Sequence, residues 1–189
     1  MKKILFVADF FSKDLSGGAE NNDSNLLKRL SSYSKIKICR SHKLTTQLID
    51  ACDVVLVSNF VNVSPAGLKY IQDNRPYIIY EHDHKYVKGR DPSVYPSFNI
   101  PEEDKINVEF YKGAHCVVVL SKICKEILEK NIPGVNVHSI GCSLWSKETF
   151  EHIRALAETT KTESICILRS DNPIKNYSKA LEYFFLEND

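Results

Sequence analysis

No run in this 189-residue sequence approaches the roughly 20 consecutive apolar residues that a membrane-spanning helix requires, which excludes a helical bilayer anchor. The apolar start Met1-Lys2-Lys3-Ile4-Leu5-Phe6-Val7-Ala8 is cut short by Asp9, and no small-residue cleavage site follows, so it does not read as a secretory leader. Charge of one sign is lacking too. Twenty-five Lys plus Arg stand against 24 Asp plus Glu, and a formal net charge of +1 calls for neither nucleic acid nor an anionic bilayer as partner. The cluster Lys35, Lys37, Arg40 and Lys43 flanks one expected strand and reads as a solvated edge. Six cysteines include no Cys-x-x-Cys pair, and Cys116 opens the apolar run Cys116-Val117-Val118-Val119. Free cysteines behave as small buried hydrophobes, as suits a reducing compartment, and the expected location is the cytoplasm.

Several chemical signatures are missing as well. There is no Gly-x-Gly-x-x-Gly dinucleotide fingerprint and no Walker phosphate loop. Ser121 follows an apolar strand, but no Gly-x-Ser-x-Gly elbow surrounds it; it reads as the amino-terminal cap of a helix, with Glu126 further along. His42, His115, His138 and His152 are scattered, with no His-Glu-x-x-His and no Cys/His ligand set. His82 and His84 alternate along an extended chain and so point to opposite sides, which is poor geometry for chelation. No metal and no bound cofactor are expected.

What the sequence does contain is alternation. Short β-rich runs at Lys3–Ala8, Lys35–Cys39, Val54–Ser58, Tyr77–Glu81, Cys116–Leu120, Val135–Ile140 and Ser164–Leu168 are separated by segments of helical period. Leu26, Leu27, Leu30 and Tyr33 form one stripe; Ile123, Ile127 and Leu128 a second; Tyr177, Leu181, Phe184 and Phe185 a third. Several strands are apolar on both faces, as in a parallel sheet covered on each side. The fold class is therefore α/β, a Rossmann-like doubly wound parallel sheet, with Lys3–Ala8 and Val54–Ser58 expected near its centre. Residues 1–160 read as one domain. Residues 161–189 read as the first strand and helix of a second, incomplete Rossmann-like domain, whose unpartnered helix would favour self-association.

Ligands of such sheets sit at the carboxyl ends of the strands, which directs attention to two loops. After the first strand comes Ser16-Gly17-Gly18-Ala19-Glu20 at a helix start. Paired glycines there let backbone amides approach a phosphate; equally, they make a tight turn with Glu20 well placed at the helix amino end. The fourth strand runs into Glu81-His82-Asp83-His84. Four ionisable residues leaving an apolar strand are costly unless the strand opens on a solvated site, and a His beside a carboxylate suits proton transfer or a sugar hydroxyl. Beyond it, Lys85–Pro101 is long for a connection and mixes charge with aromatic surface at Arg90, Asp91, Tyr95 and Phe98, so a loosely held excursion near the cleft is expected. In the tail, Arg169 leaves a strand and Lys175 opens a helix, a pair able to clamp a diphosphate.

In their order and placement these features resemble the GT-B class of sugar-nucleotide glycosyltransferases, in particular the large retaining family of mannosyl- and glucosyltransferases. Gly17, Gly18 and Glu20 match its Gly-Gly-x-Glu loop, and His82-Asp83 its histidine at the end of the fourth strand. Val117–Ser121 matches a later strand ending in Ser, and Arg169 with Lys175-Asn176 matches the basic pair that opens the second domain. Ile140-Gly141-Cys142 stands where the family closes its first domain with Asn-Gly-Val. The resemblance implies metal-free glycosyl transfer from a nucleotide sugar to a glycan, lipid or small-molecule acceptor. His82 and Asp83 would be catalytic, with Asp83 orienting His82. Gly17, Gly18, Glu20, Arg169 and Lys175 would hold the donor diphosphate, and Glu81, His84, Arg90 and Tyr95 would lie on the acceptor side. It also implies that most of a second domain is absent from this sequence. Two other readings stay open: a non-catalytic module binding a nucleotide or a protein, and a sugar-nucleotide epimerase of the same architecture, which shares less of the motif order.

Overall fold

The computed structural model describes residues 1–15, 17–160, 167, 169 and 177–186. They fall into two compact units, Met1–Lys147 and Glu148–Asp189. In the first, β1 (Lys2–Ala8), α1 (Gly18–Leu30), β2 (Ser34–Arg40), α2 (Thr46–Asp50), β3 (Val54–Val57), α3 (Pro65–Asn74), β4 (Tyr77–Glu81), α4 (Val108–Gly113), β5 (Cys116–Val119), α5 (Lys122–Asn131) and β6 (Val137–Ser139) follow in that order. The six strands form one sheet in the order β2-β1-β3-β4-β5-β6, and every pairing is parallel. The Rossmann-like α/β class is as the alternation requires. β3 and β4 are innermost, and β1 lies one place in from the β2 edge.

Register explains why Val and Ile dominate the strands. Cys39, Val7, Val57, Ile79, Val117 and Val137 are successive partners across all six strands, and all six belong to the same buried cluster. Branched side chains in a row fill the pleated face, where they pack on Ile49 of α2, Ile71 of α3, Phe110 and Tyr111 of α4, and Ile127 and Leu128 of α5. The opposite face is thinner. Ile4, Phe6, Ala8, Leu56 and Tyr80 form its core, and the helical residues packed against them are Leu26, Leu27 and Leu30 of α1. Tyr33, expected in that stripe, lies beyond the end of α1 in the turn to β2 and is 77% exposed. Ile123, in the first turn of α5, is likewise exposed.

Helix starts follow local chemistry. Ser121 caps α5 by accepting from the Cys124 N–H at 3.1 Å, as expected, and Ser64 caps α3 ahead of Pro65, whose missing N–H costs nothing in a first turn. Gly141 has φ of 74°, a left-handed turn after β6 that favours glycine.

The segment after β4 holds only single 3₁₀ turns, at Pro92–Val94, Pro96–Phe98 and Glu102–Asp104, so no regular helix runs through Lys85–Pro101. It is not loosely held, however. Tyr86 and Val87 are fully buried, and the Asn131 side chain accepts from Ile100 N–H at 2.9 Å and donates to Phe98 O at 2.9 Å.

In the second unit, α6 (Lys147–Ala157) opens at the boundary, and α7 (Tyr177–Leu186) coincides with the third apolar stripe. Phe150, Ile153 and Leu156 of α6 are exposed, as are Tyr183 and Phe185 of α7. The expected strand Ser164–Leu168 lies outside the described residues except at Ile167.

Candidate functional site at the carboxyl ends of the strands

In this strand order the chain leaves β1 in one direction for β2, and β3 continues the sheet in the other. A crevice opens where the directions part. It is a cleft of about 470 Å³, walled by Asp9 and Phe10 after β1, Gly18, Ala19, Glu20 and Asn22 of α1, Asn59 after β3, His82, Asp83 and Arg90 after β4, Leu120 after β5, and Ser143.

Each wall has a local cause. Asp9 is buried because its carboxylate accepts the N–H groups of Val61 (3.0 Å) and Asn62 (3.1 Å), which fastens the loop after β3 to the end of β1. At the start of α1, Glu20, Asn22 and Asp23 are buried although none is apolar. The apolar stripe of this helix begins only at Leu26, so its inward face is polar where it overhangs the cleft. Glu20 folds back over Gly17: a Cβ at Gly17 would overlap Glu20 Oε2. The Glu20 carboxylate has no hydrogen bond or ion pair to any described residue.

Strand alternation sorts the residues of β4. Tyr80 and His82 share one side, their rings edge to face with centroids 4.9 Å apart. Tyr80 Oη donates to Asn22 Oδ1 at 2.7 Å, and His82 Nε2 lies 2.9 Å from Asp23 Oδ1, both side chains of that pair being buried. Glu81 points to the other side, into the main core. Its carboxylate accepts the N–H groups of His82 (3.0 Å) and Asp83 (2.9 Å), Lys85 Nζ (3.0 Å) and the hydroxyl of Tyr111. Burial alone would raise this carboxyl; the Lys85 charge and those hydrogen bonds outweigh it and hold the group at about 2. Burial would likewise lower Lys85, but Glu81 and Asp83 raise it above its ordinary value. Burial pushes the Tyr80 and Tyr111 hydroxyls up. Asp83, half-exposed, pairs with Lys85 and with Arg90 Nη1 at 3.0 Å.

Four buried side-chain atoms lack a hydrogen-bond partner among the described residues: Asn22 Nδ2, Asp23 Oδ2, Ser58 Oγ and Asn59 Oδ1. Asn22 and Asn59 line the cleft, Asp23 is bonded to His82, and Ser58 precedes Asn59. Native interiors satisfy most such groups, so four unpartnered atoms on or directly behind the walls of one cleft set this region apart.

Of the residues singled out from sequence, the cleft brings together Gly18, Glu20, His82, Asp83 and Arg90, with Gly17 directly behind Glu20. Three others go elsewhere. Glu81 is in the core as a strut of the loop. His84, at φ of 54°, turns its ring to Tyr86 Oη (3.0 Å) and towards Cys124 Sγ (3.8 Å). Tyr95 donates to Asp104 Oδ2 at 3.0 Å. Arg169 is exposed in the second unit, and Lys175 lies outside the described residues. The carboxylate that orients His82 is Asp23, not the adjacent Asp83, which alternation turns towards Lys85 and Arg90. Sequence reading also passed over Asp9, Asn22, Asp23 and Asn59. The available signal was Glu20-Asn21-Asn22-Asp23, about one full helical turn without an apolar residue near a helix start. Among the described residues no three His, Cys, Asp or Glu side chains stand close enough to hold a metal, and no helix is long and apolar enough to cross a membrane.

No family model matches this chain, and no curated protein does. Among solved structures, it is similar to an alpha-glucosyltransferase in complex with UDP and a 13-mer DNA containing a central A:G mismatch, with a TM-score of 0.46 and 11% identity over 74% of this chain. The match spans 40% of that glucosyltransferase chain. It is also similar to a flavodoxin from Streptococcus pneumonia TIGR4, with a TM-score of 0.30 and 11% identity, covering 82% of this chain and 94% of that one.

Proposed function

We propose that the chain is part of a sugar-nucleotide-dependent glycosyltransferase, with Met1–Lys147 as its acceptor-side Rossmann-like domain. One observation carries this: the Gly-Gly-x-Glu loop and His82-Asp83, some sixty residues apart in sequence, meet in one cleft at the topological switch point. In glycosyl transfer the bond from the anomeric carbon to the diphosphate breaks as the bond to an acceptor hydroxyl forms. Charge develops on the leaving diphosphate, and the acceptor hydroxyl loses its proton. With Nε2–H donating to Asp23, His82 Nδ1 is left without a partner among the described residues, a lone pair able to hydrogen-bond that hydroxyl. As the resemblance implies, the donor diphosphate is assigned to the basic pair Arg169 and Lys175, with no bound metal in the scheme.

The test is nucleotide release from UDP-, GDP- and ADP-hexoses by the protein that carries this chain, with and without glycan acceptors. His82→Ala should lower turnover on the order of 10²–10⁴-fold while donor affinity holds. A protein that neither binds nor consumes any of these donors would overturn the proposal.

A further inference from the structure

The amino end of α1, a 13-residue helix opening on paired glycines, is the place in this cleft where a phosphate would ordinarily sit. The side chains around it argue otherwise. Glu20, 6% exposed as a residue, lies over Gly17 with its carboxylate unpartnered among the described residues, so it already supplies the negative charge that the helix end favours. Arg90, the basic side chain on the wall, is paired to Asp83. Asp9 adds another carboxylate, both oxygens of which are taken by backbone N–H groups. A phosphate entering here would meet like charge and no unpaired cation.

What remains unsatisfied is hydrogen-bonding capacity of both kinds. Asn22, 2% exposed, carries an unpartnered Nδ2 donor, while Asn59 Oδ1 and the Glu20 carboxylate are acceptors. His82 Nδ1 faces no described partner. Phe10, 48% exposed at the rim, offers an aromatic surface to the C–H face of a ring. Donors, acceptors and an aromatic plate together match an uncharged ring bearing several hydroxyls, each of which can donate and accept.

We infer that this cleft binds a neutral saccharide ring and that Glu20 closes the amino end of α1 to phosphate. The assignment of that ring to the acceptor rests on the glycosyl-transfer reading; the binding chemistry does not. Gly17 is part of the device, because a side chain there would displace the Glu20 carboxylate.

The test is a titration of the chain with methyl hexopyranosides and, separately, with inorganic pyrophosphate, followed by calorimetry and by amide shifts in ¹⁵N-labelled protein. At least one hexoside should shift the amides of Gly18, Ala19, Glu20 and Asn59, with affinity falling at least tenfold in Asn22→Ala. Pyrophosphate should leave those amides unmoved in the wild-type chain and shift them in both Glu20→Gln and Gly17→Ala. Pyrophosphate binding at α1 of the wild-type chain, or no response to any hexoside, would overturn the inference. Either result can occur whether or not nucleotide sugars are consumed, so its failure is distinct from failure of the glycosyl-transfer reading.

Discussion

Lys85→Met should be the costliest single substitution near the cleft, although Lys85 stands behind the wall rather than on it. Its ammonium is buried between Glu81 Oε1 at 3.0 Å and Asp83, with the Phe60 ring centroid 5.6 Å away. Removing it leaves the Glu81 carboxylate in the core with hydrogen bonds but no counter-charge, and one-sided breakage of a buried pair costs about 3–5 kcal/mol. A second route gives a similar figure: holding Glu81 at about 2 rather than its ordinary 4.5 corresponds to about 3 kcal/mol of stability. The sign follows from the direction. A carboxyl depressed by folding contributes fully above 4.5, and that contribution is lost as pH falls towards about 2. Lys85, raised by folding, contributes below its ordinary 10.5 and loses that contribution as pH climbs beyond it. Urea unfolding followed by circular dichroism between pH 2 and 7 would read the Glu81 limb. The wild type should exceed Glu81→Gln by a margin that is flat above pH 4.5 and shrinks below it. In Lys85→Met, acid unfolding should move to higher pH. A Lys85→Met cost under about 1 kcal/mol with an unchanged acid limb would show that the buried network contributes little.

Asp23→Asn should lower turnover by at least tenfold with unchanged donor affinity, since Asp23 fixes the tautomer of His82; Asp83→Asn should do less, and kcat and KM measured separately would show it. Asn131→Ala should cost about 2–3 kcal/mol in denaturant melts, because it leaves the buried Ile100 N–H and Phe98 carbonyl without their side-chain partner. Alkylation of Cys124 should set in at lower pH than for an ordinary thiol, because His84, the Ser121 contact and the His84 charge together outweigh burial. Mass-resolved iodoacetamide kinetics would show that profile moving to higher pH in His84→Ala, while Cys39, Cys52 and Cys116, raised by burial, stay slow.

The sheet was readable because its strands are apolar on both faces, and Val117–Val119 or Ile78–Ile79 have no other plausible lodging. Edges were less so. Val135 is buried in the main cluster but precedes β6, which starts at Val137, because burial alone does not mark where a ladder begins. Helix α3 carries an explicit start signal in Ser64-Pro65 and a weak stripe, so punctuation would have found it where periodicity did not. Within the site, neighbours in sequence were legible and neighbours in space were not. Asp83 is adjacent to His82 along the chain, yet Asp23, 59 positions earlier, makes the bond. Alternation along β4 decides that exchange, and it also sends Glu81 into the core while leaving His82 at the cleft. A tail pair such as Arg169 and Lys175 has no comparable rule to place it.

Helix α1 does two jobs with opposite ends: Leu26, Leu27 and Leu30 cover the thinner face of the sheet, and Gly18 to Asn22 wall the cleft. Occupancy of the cleft and retention of that helix are therefore thermodynamically linked. A ligand held between α1 and the end of β4 adds RT ln(1 + [L]/Kd) to the free energy of any opening that detaches the helix, about 2.7 kcal/mol at a hundredfold excess over Kd. Amide hydrogen exchange along Leu26–Leu30, about one to two helical turns beyond Asn22, would then slow with saturation of the cleft, and the helix itself would report which small molecules the protein recognises.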